Sequence, residues 1–203
     1  MFNPFKPRPS TPARSPEPEA AGPSRNALVP RIKHLAFERE LRGHGIPAEH
    51  LPLIDALAGE LLVTYAFDLP EQFVMANPTN LARAGIAPAE VRALACENLR
   101  ARAPAISVER RRGALFVTTG GDLEACLLLL DELWSGAHAR FEPDCVVCVP
   151  RRDCLLVSDG ACADAVAALR QAAEPAFSEQ NDGHALSLQL MNRQGSGWRV
   201  HAQ

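Results

Sequence analysis

Read for its hydrophobic and polar positions, the chain divides at Leu28. Before that point single apolar residues sit among prolines; after it, apolar runs recur at strand and helix spacing. Ile32, Leu35, Ala36, Arg39 and Leu41 fall near helical spacing, and Gly43 and Gly45 follow, which predicts a helix ending at that pair. Residues 61–67, Leu-Leu-Val-Thr-Tyr-Ala-Phe, are branched and aromatic and predict a buried strand. Asp68-Leu-Pro-Glu turns the chain, and residues 72–76 supply the hairpin partner. A helical turn over 79–84 stops at Gly85. Pro88 then opens a longer helix with Val91, Leu94, Ala95, Asn98 and Leu99 inward, Arg92, Arg100 and Arg102 outward, and Pro104 as its end.

Two strands, 106–108 and 114–117, flank the turn Arg110-Arg-Arg-Gly113. Residues 120–134 follow: Gly-Gly-Asp-Leu-Glu-Ala-Cys-Leu-Leu-Leu-Leu-Asp-Glu-Leu-Trp. A glycine entry, an acidic first turn and an apolar run predict a central helix buried nearly all round. Strands at 145–149 and 154–157 meet at Pro150-Arg-Arg-Asp153. A small-residue helix covers 161–173 with Val166, Leu169 and Ala173 inward, and strands at 186–191 and 198–201 finish the chain. Strands grouped in pairs predict an α+β fold, with antiparallel hairpins packed on the central apolar helix, rather than a doubly wound parallel sheet.

Composition sets the limits. At 203 residues the chain has enough apolar surface for one ordinary core, read here as a single domain over 28–203. Residues 1–27 hold seven of the seventeen prolines and almost no branched apolar residues, so they are expected to be a disordered tail. Pro9 and Pro12 fit a PxxP spacing, but a solvated spacer is the favoured reading. Net charge is −3, and nucleic acid is not an expected partner. Residues 113–192 hold twelve acids against four bases, so the C-terminal half is expected to be the acidic, partner-facing side. No run of apolar residues reaches membrane-spanning length and no secretory signal is evident, which predicts a cytoplasmic location with six reduced thiols.

The acidic set is where chemistry is most open. Asp122 and Glu124 suit a helix start, where carboxylates meet free N–H groups. Asp131, seven residues beyond Glu124, falls on the same helical face, with Glu132 beside it. Arg151 and Arg152, before Asp153, are natural partners. One reading is a salt-bridged loop docked on the helix. The other is a polar pocket of Glu124, Asp131, Glu132, Arg151, Arg152 and Asp153, suited to hydrolysis or to a small polar ligand. Cys145-x2-Cys148 with Cys154 and Cys162 offers four thiols, yet a Val-Val spacer inside a strand sends neighbouring sulfurs to opposite sides, so no metal is expected. His44 and His50 read as loop residues, and the Arg110–Arg112 triplet as a solvated turn. No cofactor motif is present: the chain has no G-x-S-x-G, Walker A, H-E-x-x-H or G-x-G-x-x-G sequence.

Residues 61–68, 120–134 and 147–156 occur in an order that resembles the YtpQ-like family of uncharacterised bacterial proteins, over about residues 50–203. The resemblance implies a bacterial, cytosolic protein and supplies no catalytic residues. The expectation is a non-catalytic domain that binds an unknown protein or a small polar ligand, with a carboxylate/arginine hydrolase as the alternative.

Overall fold

A computed structural model describes residues 22–103, 105–178 and 183–202. Most of the expected tail, including Pro9 and Pro12, and the helix-closing Pro104 lie outside those residues. Residues 22–27 belong to the folded unit. Arg25–Ala27 form a 3-10 turn, Ala27 is buried, and the Asn98 amide donates to the Arg25 and Leu28 carbonyls at 2.8 Å.

The fold is α+β and entirely antiparallel in its pairings. The first sheet is built on β3 (Leu61–Leu69), the strand expected from its branched residues. β1 (Leu28–His34) lies along one edge of it, and β2 (Ile54–Ala58) and β4 (Gln72–Met75) share the other. The second sheet has the order β10-β9-β7-β8-β6-β5. Its strands are β5 (Ser107–Arg111), β6 (Ala114–Thr118), β7 (Val146–Arg151), β8 (Cys154–Ser158), β9 (Leu190–Gln194) and β10 (Gly197–Val200). The β5–β6 hairpin turns on Arg112 and Gly113, both at positive φ, 50° and 83°, the pairing a tight two-residue turn demands.

The second sheet is covered on both faces. Val147, Val149, Leu155 and Val157 face the main core, while Val146, Cys148, Leu156 and Leu190 pack against Leu169, Ala172 and Ala173 of α5 (Ala163–Ser178). That is why residues 146–149 read as an unbroken apolar run rather than an alternating one. Cys145 and Cys148 fall in the two different clusters, as the strand argument requires. Inner residues of the first sheet, Leu28, Ile32, Val63, Tyr65 and Phe67, join the main core with Val91, Ala95 and Leu99 of α3 (Val91–Arg102).

Three expectations need correction. Residues 28–34 are strand β1, and the helix there, α1 (Ala36–Gly43), starts only after it. Edge strand β2, mostly half-buried, had no clear pattern to announce it. Above all, 120–134 is no continuous α-helix. It is a 3-10 segment, Glu124–Leu129, a break at Leu130, and one turn of α4 (Asp131–Trp134).

The cause of that break is tertiary. The Trp134 indole N–H donates to the Leu127 carbonyl and the Trp198 indole N–H to the Leu128 carbonyl, each at 2.8 Å. The Cys96 thiol approaches the Leu129 carbonyl at 3.8 Å. Two acceptors that an α-helix would use internally are thus met by side chains from elsewhere, Trp198 and Cys96, and a third by the segment's own Trp134. Trp134 stacks on Phe141 and meets Trp198 edge-on, both at 4.9 Å between ring centres. The segment remains central: Glu124 to Leu129 are all buried, between β1 and the inner face of β8.

Candidate functional site

The break at Leu130 separates the expected site residues into two groups. At the C-terminal end, Asp131 and Glu132 are solvent-accessible and each holds its own arginine. Arg193 of β9 donates to Asp131 at 2.9 Å, and Arg100 of α3 forms a two-pronged pair with Glu132. Arg193 is held over the ring of Trp198, its cross-strand neighbour. The Arg100 guanidinium keeps the Glu132 carboxyl below its ordinary range. Asp131 and Arg100 border a cleft of about 550 Å³ between β2, α3 and β10, whose walls include Leu57, Leu129 and Trp198.

At the N-terminal end the arrangement differs. Glu124 is 2% exposed. Its Oε1 accepts from the backbone N–H groups of Thr119 and Gly121, at 2.9 and 3.2 Å, and from the Thr119 hydroxyl at 3.3 Å. The carboxylate thus closes the loop that Gly120 bends at φ 78°. It is a structural acceptor, and it shares no cavity with Asp131. The seven-residue same-face argument fails because it assumes an unbroken α-helix.

Arg151, Arg152 and Asp153 sit at the β7–β8 turn, which is pinned from both sides. The Arg152 N–H donates to the His184 carbonyl at 3.0 Å, and its carbonyl accepts from the Ala125 N–H at 3.1 Å. Arg151 is buried and donates from Nε to Asp153 at 3.1 Å. Arg152 donates to Asp122 at 3.3 Å. Asp122, Asp153 and His184 offer ligand-type atoms within 4.8 Å of one another. Two guanidinium groups already lie on the two carboxylates, and a divalent cation would meet them there.

Beside this turn, β1 brings two cations that the sequence reading did not select. Arg31 and Lys33 are two apart on a strand and therefore share a face. With His34, Phe37, Arg152 and His184 they line a cleft of about 300 Å³. Arg31 is 5% exposed, donates to the Asp122 carbonyl at 3.5 Å and stacks on Phe73 at 4.4 Å. Lys33 lies 5.3 Å over Phe37. Burial lowers both side chains below their ordinary pKa values, and for Lys33 the neighbouring Arg31 and Arg152 add to the shift. Their signal was local, apolar residues interleaved with basic ones at period two, but the same stretch also fitted helical spacing. His184 carried no such signal.

The thiols are placed for packing. Burial pushes Cys126 and Cys145 up to about 11 and Cys148 to about 12, so none of the three is an activated nucleophile at neutral pH. Among the described residues no helix is long and apolar enough to cross a membrane. Comparison of the chain with family models, with characterised proteins and with solved structures gives no match.

Proposed function

We propose that this chain is a non-catalytic binding domain of a bacterial cytosol, of the YtpQ-like kind, and that it recognises a small polar ligand. One observation carries the reading: the cleft of β1 presents two cations, Arg31 and Lys33, that have no ion-pair partner among the described residues, whereas the polar groups expected for catalysis are dispersed and engaged in local pairs. Glu124 closes a loop, Asp131 holds Arg193, Glu132 holds Arg100, and Asp153 holds Arg151. The favoured recognition surface is therefore basic, in place of the acidic half expected from charge distribution.

A second reading rests on Asp122, Asp153 and His184 beside Arg152, which resemble the parts of a carboxylate/arginine hydrolase. One experiment separates the two. The purified full chain is screened by thermal shift against polar metabolites and, in parallel, against chromogenic ester, amide and phosphoester substrates. Binding without turnover is expected. Turnover that disappears in Asp153→Asn would overturn the binding reading in favour of a hydrolase.

A further inference from the structure

Among the described residues, two cations of β1 stand without an ion-pair partner. Arg152 is offset by Asp122. Among the described residues Arg31 forms no ion pair, and its hydrogen bond there, 3.5 Å to a backbone carbonyl, engages only one of the donors that a guanidinium carries. Phe73 covers a face of the guanidinium plane but accepts none of its N–H groups conventionally. The Lys33 ammonium has, among the described residues, neither an ion pair nor a side-chain hydrogen bond, and it rests over the Phe37 ring. A 95% buried arginine and a half-buried lysine, side by side on one strand face, thus have no ion-pair partner among the described residues, and the cleft's own lining offers a single carboxylate, the exposed Glu40. Burying unpaired charge is costly, so the arrangement is explained by an anion that enters the cleft.

We infer that the cleft between β1 and α1 is a binding site for a small phosphate monoester, its phosphoryl group held by Arg31 and Lys33 with Arg152 at the edge. The inference rests on the binding-domain reading and names its ligand class. A phosphate monoester carries roughly −1.5 to −2 at neutral pH, which matches the two free cations, whereas a single carboxylate neutralises only one. The donor set also fits. An arginine fork and a lysine point charge are complementary ways of holding phosphoryl oxygens. Phe37 and Leu186 provide apolar wall for the organic part, and a cleft of about 300 Å³ limits that part to a few carbons. Exposed Glu40 at the lining stands against a long polyanion such as a nucleic-acid backbone, which would have to pass it.

The test titrates the full chain with inorganic phosphate, glycerol 3-phosphate and acetate at matched ionic strength, read by thermal shift and by phosphorus NMR for the two phosphates. Saturable stabilisation by both phosphates is expected, stronger for glycerol 3-phosphate, with acetate ineffective. Lys33→Met should weaken phosphate binding by about tenfold or more while its melting temperature in chloride stays at the wild-type value. Arg31→Met should weaken it further, and Arg92→Met, in the other cleft, should leave it unchanged. Equal saturation in wild type and Lys33→Met, acetate as effective as phosphate, or no saturable effect would each overturn the inference. Inorganic phosphate binding more tightly than the ester would overturn the ester and assign the cleft to free phosphate. If phosphates fail while another polar ligand still stabilises the chain, the binding-domain reading survives without this inference; turnover of substrate removes that reading itself.

Discussion

The two ends of the 124–134 segment treat charge in opposite ways. At the far end, Asp131 and Glu132 stand near water, and each is matched by one arginine, from β9 and from α3. At the near end, Glu124 is spent on closing a loop and Asp122 on Arg152, so the cations of β1 are left over. Counting acids alone pointed to the far end as the site of interest. Matching each charge to its partner points to the near end, because a paired surface charge contributes little and demands nothing, whereas an unpaired buried one requires a ligand or a reason.

The comparison can be broken most forcefully at Glu124. Glu124→Ala should destabilise the chain by about 3 kcal/mol, since three donors around one buried oxygen lose their acceptor. Guanidinium denaturation measures it, and a loss near zero would mean that the loop does not depend on the carboxylate. At the far end, Arg193→Met removes the pair to Asp131 and the contact with Trp198, and should cost about 1 kcal/mol in the same assay. Lys33→Met should fall within about 0.5 kcal/mol of wild type and on the stabilising side, because a repelled cation is removed. A clear loss in that variant would show that Lys33 has a structural partner after all.

Titration sharpens the same contrast: the charged form is the favoured one at Glu132 and the disfavoured one at Lys33, so stability rises with pH at both ends but over separate pH ranges. The Glu132 carboxyl is lowered in the fold by its hydrogen bond to Arg100, so its stabilisation is present above the ordinary value of 4.5 and lost as pH falls through the folded value. Relative to Glu132→Gln, wild type should lose stability more steeply on acidification. Lys33 is lowered from 10.5 mainly by burial, so the unfolded chain binds its proton more readily and stability rises with pH up to 10.5. Relative to Lys33→Met, wild type should gain stability as pH is raised from neutrality. The magnitudes are small, and the two slopes, read from denaturation midpoints across pH, decide the matter.

Much of the fold was legible in the residues. The β3–β4 hairpin, α2 (Pro78–Arg83), α3, the β5–β6 and β7–β8 hairpins and α5 follow from runs of branched residues, Gly and Pro breaks, and helical periodicity. β1 was misread because Ile32, Leu35 and Ala36 fit helical spacing while the strand's alternation is interrupted by Pro30 and Val29 is buried as well. The last hairpin was placed a few residues out of register, since its turn lies at Gly195 and Ser196, inside the loop expected at 193–197. At the site, Arg151, Arg152 and Asp153 were recognised as a turn with partners. His184, far from Arg31 and Lys33 in the chain, became their neighbour only through the contacts of the 183–186 segment, and the strand face that Arg31 and Lys33 share was hidden by the helical reading of that stretch.

The chain by itself determined most of the strands, helices and turns beyond β1 and β2, and that residues 124–130 lie at the centre of the core, because hydrophobic spacing and turn chemistry act over a few residues. Only the tertiary structure decided the form of that centre. An indole and a thiol from distant positions, Trp198 and Cys96, reach the carbonyls of Leu128 and Leu129, the segment's own Trp134 folds back on Leu127, and the helix expected from local propensity yields to a 3-10 segment broken at Leu130. That break parts Glu124 from Asp131, assigns each acid its partner, and leaves two cations of β1 facing an open cleft. Pairing of charges is a property of three-dimensional neighbours, and no spacing along the chain encodes it.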